Sequence, residues 1–92
     1  AIVCCNYMIL QSVLHFLQEN GKSVPNDYSL VCFDYSGQDW ERSGITCSIH
    51  PGYDMGIQVG KRLLKMIQNH EYCGYSYLMD LRIYEGRSIR KL

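Results

Sequence analysis

Two short apolar runs, AIVCC at Ala1–Cys5 and LVCF at Leu30–Phe33, enclose a stretch whose apolar residues keep a different period. Neither run is long enough for a helix, and both suit strands covered on two faces. Between them Leu10, Val13, Leu14 and Leu17 recur at helical spacing, with Ile9 and Phe16 widening the apolar side. Asn6 stands at an N-cap position and Gly21 at a left-handed stop, which predicts a helix from Tyr7 to Asn20. The segment SVPNDYS then supplies a Pro-containing turn. A buried strand, a helix and a second buried strand in that order form a crossover unit, whose strands run parallel with a right-handed connection.

The remaining chain repeats the theme. A polar loop with Gly37 and Gly44 leads to an extended run near Thr46–His50, and Pro51 opens a second helix over about Tyr53–Asn69. That helix carries Gly56, Val59, Gly60, Leu63 and Ile67 on one side; its two glycines, one turn apart, leave room for another backbone. NHEYCGYS breaks the pattern, and Tyr77–Tyr84 alternates as a final strand. Strand, helix, strand, strand, helix, strand predicts an α/β fold with a mostly parallel sheet and flanking helices.

Composition narrows the function classes. With 92 residues there is room for one small domain, burying only about 60 to 65% of the surface its unfolded chain exposes. Nine basic side chains balance nine acidic ones, so the overall field that attracts nucleic acid or an anionic membrane is missing; only Arg87–Lys91 is locally basic. The five cysteines are an odd number, and the adjacent Cys4 and Cys5 point to opposite sides of a strand, which suits reduced thiols in a cytoplasmic protein. No apolar stretch reaches the roughly 18 to 20 residues that span a bilayer. The chain opens inside an apolar strand without a start methionine, as a fragment does.

In open α/β sheets, ligands bind beyond the carboxyl ends of the strands. Asn6 and Tyr7 follow the first strand; Asp34 and Tyr35 follow the second. If the two strands are parallel neighbours, the four side chains share one rim. An amide donates and accepts, a carboxylate accepts two hydroxyl protons and an aromatic ring covers the apolar face of a sugar, a set suited to a polyhydroxylated small molecule. The same residues also serve as local devices, Asn6 as a helix cap and Asp34 as the start of an Asx-type turn.

Other constellations carry less. Cys47, His50, His70 and Cys73 have zinc-like local spacing, but a rigid helix of about 17 residues would hold the two pairs roughly 25 Å apart. No metal and no cofactor is expected. Cys5, beside a helix start, has no histidine placed as its base by any local motif, so a thiol enzyme is not expected either. Lys61, Arg62 and Lys65 read as a solvated helix side.

The run AIVCCNYMILQSVLHFLQENGKSVPNDYSLVCFDYSG, followed by ITCSIHPGYDMG and LRIYEGRS, resembles the C-terminal part of the effector-binding domain of the LacI/GalR family of bacterial transcription regulators. The resemblance spans essentially the whole chain. It implies a periplasmic-binding-protein-like type I fold, in which residues 1–45 and 76–86 belong to the C-terminal subdomain. The crossover strand and helix over 50–73 would then pack on the other subdomain.

By position, Asn6 and Asp34 match family residues that hydrogen-bond the hydroxyls of a sugar-like effector, and His50 occupies a hinge position that is often Gln. Tyr7 and Tyr35 depart from the family by standing where carboxylates are common, which removes charge and adds rings. The resemblance implies a homodimer, with Gln11, His15 and Trp40 as candidate contacts. The helix side of Val59, Leu63 and Ile67 would seek cover from a second copy, by dimerisation or by exchange of the helix. DNA would be bound only through a module outside these residues. A periplasmic sugar-binding protein of a transporter shares the fold; the cysteines argue against it.

Overall fold

The computed structural model describes residues 1–74 and 76–92. Its elements follow the expected order: β1 (Ile2–Cys4), α1 (Tyr7–Glu19), β2 (Leu30–Tyr35), α2 (Trp40–Ser43), β3 (Thr46–Ile49), α3 (Gly52–Asn69) and β4 (Arg82–Tyr84). One four-stranded sheet runs β1-β2-β3-β4. β1 pairs with β2 and β2 with β3 in parallel, whereas β4 runs antiparallel to β3. The chain divides into two compact units, one of residues 1–50 with 82–92 and the other of residues 51–81.

In the first unit, α1 lays its apolar stripe on the sheet. Leu10 and Leu17 are buried, and the core joins Leu10 to Cys4, Leu30, Cys32, Tyr35, Ile45 and Cys47. Each fully buried leucine contributes about 1.5 to 3 kcal/mol of burial. Three of the core positions are thiols acting as small apolar groups, and burial raises the pKa of Cys4, Cys32 and Cys47. The sequence suggested that the first two strands are covered on both sides, but Val3 and Phe33 are exposed.

The carboxyl-terminal segment stitches the amino ends of β2 and β3 together. The buried Ser88 hydroxyl donates to the Leu30 carbonyl at 2.5 Å and accepts the Thr46 amide at 2.8 Å; the Leu30 amide donates to the Ser88 carbonyl at 2.9 Å. Gly44 takes a left-handed φ of 67°, and its carbonyl accepts the Arg87 amide at 2.7 Å. Gly86 packs so closely that a Cβ there would overlap the Gly44 carbonyl.

Two expectations change. The final strand is three residues rather than the whole of Tyr77–Tyr84, because the β3 partner supplies only three ladder positions, Cys47↔Tyr84, Ser48↔Ile83 and Ile49↔Arg82. Upstream of Arg82, alternation finds no strand to pair with. The polar loop also contains a helical turn, α2, which ends at Gly44.

The second unit is built on α3. Its C-cap is His70 at a left-handed φ of 52°, whose amide reaches the Ile67 and Met66 carbonyls. Met55, Val59, Leu63 and Met66 join Cys73 and Tyr77 in lining an apolar groove of about 490 Å³. No residue of α3 is buried, and Val59, Leu63 and Ile67 remain 60%, 54% and 52% exposed. Nothing lies within 4 Å of a Cβ placed on Gly56 or Gly60.

Candidate functional site

The register of the parallel strands brings the candidate residues to one edge. Cys4 of β1 lies opposite Cys32 of β2, so Asn6 and Asp34 each stand two residues beyond the same ladder position. Tyr35 pairs with Ile49 of β3, and His50 follows directly. Asn6, Tyr7, Asp34, Tyr35 and His50 therefore all sit at the carboxyl ends of three adjacent parallel strands, where an α/β sheet presents its ligand crevice.

Asn6 caps α1 in extended backbone geometry, its Oδ1 accepting the Ile9 amide at 3.0 Å. The cap uses the side-chain oxygen, and the Nδ2 group remains a donor. The helix start adds a partial positive field at the same rim.

Asp34 is exposed and takes φ 52°, uncommon for any residue but glycine. The cause is an irregularity in the β2–β3 ladder. From Cys32 to Tyr35 the chain takes three steps while β3 takes two, from Cys47 to Ile49, so β2 carries one extra residue. Regular alternation would put Asp34 on the core side with Leu30 and Cys32. The extra residue turns its carboxylate outward and sends Tyr35 inward.

The expectation for Tyr35 is corrected on that account. Its ring is only 2% exposed and belongs to the core, with the hydroxyl donating to Asp39 Oδ1 at 3.1 Å. Burial pushes the phenol up to about 12 from 10.0. Tyr35 supports Tyr7 instead of lining a rim: the rings meet edge to face with centroids 4.9 Å apart, and Gly37 fits against both because a Cβ there would crowd each ring. Tyr7 is half-buried and His50 exposed.

The residues considered as dimer contacts fall in different settings. Gln11 and His15 are exposed on α1, where His15 Nε2 lies 3.2 Å from Glu19. Trp40 is half-buried within its own unit, edge to face with Tyr84 at 5.0 Å and with the Arg82 guanidinium 5.7 Å from its ring. The Tyr84 hydroxyl reaches back to the Glu41 carbonyl at 3.2 Å. Of the four residues with zinc-like spacing, Cys47 is in the core, and among the described residues no three His, Cys, Asp or Glu side chains converge as a metal site. No helix among the described residues is long and apolar enough to cross a membrane.

Sequence reasoning missed Ser48 and Asp39. Ser48 Oγ accepts the Asp34 amide at 3.0 Å across fourteen residues, a contact with no local sequence signal. Gly37 appeared only as loop punctuation, although its lack of a side chain is what admits the two tyrosine rings.

Residues 1–89 match the periplasmic binding protein-like domain. A probable HTH-type transcriptional regulator, EndR, of Paenibacillus polymyxa is 33% identical over 97 residues, covering all of this chain and 28% of that protein. The arabinose metabolism transcriptional repressor of Geobacillus stearothermophilus is 33% identical over 69 residues, 74% of this chain and 19% of that protein. The crystal structure of a LacI family transcriptional regulator from Enterococcus faecium with bound ribose superposes with a TM-score of 0.83 at 26% identity, covering 98% of this chain and 34% of that one. The chain thus spans about a fifth to a third of the proteins it matches. On fold, strand-end geometry and these similarities together, the chain belongs to the periplasmic-binding-protein-like domain family, as part of an effector-binding domain of the LacI/GalR type.

Proposed function

We propose that this chain is the ligand-sensing part of a bacterial transcription regulator and that its effector is a sugar or similar polyhydroxylated small molecule. The observation that carries the reading is the shared register of Asn6 and Asp34 beyond the Cys4↔Cys32 pair. Asn6 Nδ2 donates to an effector oxygen, the Asp34 carboxylate accepts two hydroxyl protons, and the Tyr7 ring, braced by Tyr35, covers an apolar sugar face. His50, at the end of the β3 crossover, is a further contact at the hinge. The ribose in the Enterococcus faecium structure and the arabinose named for the Geobacillus repressor favour a pentose over a larger ligand.

The protein acts by binding and not by catalysis, in the cytoplasm and without a cofactor or a metal. DNA contact belongs to a module outside these 92 residues. The working unit is a homodimer, with Gln11, His15 and Trp40 as contacts in the complete protein. Effector binding favours one arrangement of the dimer through a difference in affinity between two states. In the isolated 92-residue chain, the exposed Val59, Leu63 and Ile67 seek cover in a second copy, by simple pairing or by exchange of α3. A strictly monomeric 10.7 kDa species in sedimentation contradicts that association.

Titration calorimetry of the complete protein against pentoses, hexoses and nucleosides tests the central claim. A pentose is expected to bind, and Asn6→Ala and Asp34→Ala are each expected to weaken it at least tenfold. No heat from any member of the panel overturns the reading.

A further inference from the structure

We infer that Ser48 is a positioning residue of the effector site: by accepting the Asp34 amide it holds the extra residue of β2 in the left-handed turn that aims the Asp34 carboxylate outward. The inference rests on the effector-site reading of Asp34 but concerns a residue that reading does not include.

Left-handed backbone is unfavourable for a residue with a Cβ, and it persists in folded proteins when surrounding contacts impose it. At Asp34 the contact comes from outside the strand. The Ser48 hydroxyl takes the amide at 3.0 Å, where the register slips between Cys32↔Cys47 and Tyr35↔Ile49. Without this acceptor, the Asp34 amide would lose the partner that the irregular ladder denies it, and β2 could relax towards regular alternation. Regular alternation would draw Asp34 towards the core side and push Tyr35 off its Asp39 contact. Strand bulges re-aim side chains beside functional sites in this way. Ser48 belongs to β3, two residues before His50, so the hydrogen bond ties the end of β2 to the strand that leads into His50.

A side chain that acts only through Asp34 makes a specific prediction for the complete protein, with D-ribose and L-arabinose as probes. Ser48→Ala is expected to weaken the tighter-binding sugar about tenfold, the scale of one hydrogen bond. Ser48→Thr, which keeps the hydroxyl, is expected to restore most of the affinity. In an Asp34→Ala background, Ser48→Ala is expected to change affinity less than twofold. Amide hydrogen exchange at Asp34 provides a readout that needs no sugar: protection is expected to fall at least tenfold in Ser48→Ala and to return in Ser48→Thr.

Unchanged exchange at Asp34 in Ser48→Ala overturns the inference, whatever the sugars do. Equal loss of affinity with and without the Asp34 carboxylate also overturns it. If neither sugar binds the wild-type protein but exchange responds as expected, the pentose reading fails while the positioning role stands.

Discussion

Helices α1 and α3 are both amphipathic, yet only α1 buries any of its apolar side, at Leu10 and Leu17, while Ile9 and Phe16 stay exposed. α1 buries Leu10 and Leu17 against β1 and β2, whereas no residue of the longer α3 is buried. The difference does not lie in the helices themselves. α1 is flanked in the chain by two strands that pair with each other, so closing the crossover places the sheet beneath its stripe. α3 lies between β3 and the short β4, and its unit offers mainly the segment around Cys73 and Tyr77 as a partner. Periodicity thus specifies which side of a helix is apolar without specifying what covers it.

The sharpest way to break this comparison is truncation of one leucine in each helix. Leu10→Ala should cost about 2 to 5 kcal/mol in urea unfolding, because it empties a fully buried position. Leu63→Ala, at a half-exposed position, should stay within about 0.5 kcal/mol in dilute solution. Equal costs would mean that the two helices do not differ as described.

Ser88→Ala should come next, at about 1 to 3 kcal/mol, since it strips the part-buried Thr46 amide and the buried Leu30 carbonyl of a shared partner. If the midpoint does not move, the carboxyl-terminal stitch is not part of what closes the first unit.

Asn6 separates stability from binding at the rim. Asn6→Ala should lose about 1 kcal/mol with the α1 cap, whereas Asn6→Ser should retain the cap and most of the stability. Both should weaken pentose binding, because both remove the amide donor. A serine variant that binds as the wild type does would reduce Asn6 to its capping role.

A further effect is confined to alkaline pH. Cys32 is pushed up to about 11 from 9.0 and Tyr35 to about 12 from 10.0, chiefly by burial. Each raised folded-state value means that the neutral form is favoured in the core. The associated stability is fully present below the unfolded values and is lost as pH rises, from about 9 to 11 for Cys32 and from about 10 to 12 for Tyr35. Urea midpoints measured across that range should fall, and Tyr35→Phe should flatten the part above pH 10. A flat profile for the wild type would show that neither group titrates out of the folded state.

The shared strand-end position of the candidate residues was legible because it depends on order along the chain. Asn6 lies directly after an apolar run and directly before helical spacing, which marks both a cap and a strand end. The parallel pairing that aligns it with Asp34 follows from the crossover rule. Tyr35 was misplaced for an equally plain reason: alternation carries parity through a strand only while each step has a partner, and one unpaired residue reverses it. The shortened β4 has a related cause, since a strand extends only as far as its neighbour offers hydrogen bonds.

The sequence alone therefore determined the order of elements, the capped start of α1, the parallel β1–β2 pair and the placing of Asn6 and Asp34 at the same end of the sheet. These follow from local periodicity and from the handedness of the chain, which act over a few residues at a time. Tertiary structure alone decided that Asp34 faces outward and Tyr35 inward, that Ser48 holds the turn between them and that Ser88 closes the opposite end of the sheet. Each of those outcomes depends on a hydrogen bond between residues fourteen or more positions apart, or on a ladder slip it accompanies, and no local pattern encodes such a partner.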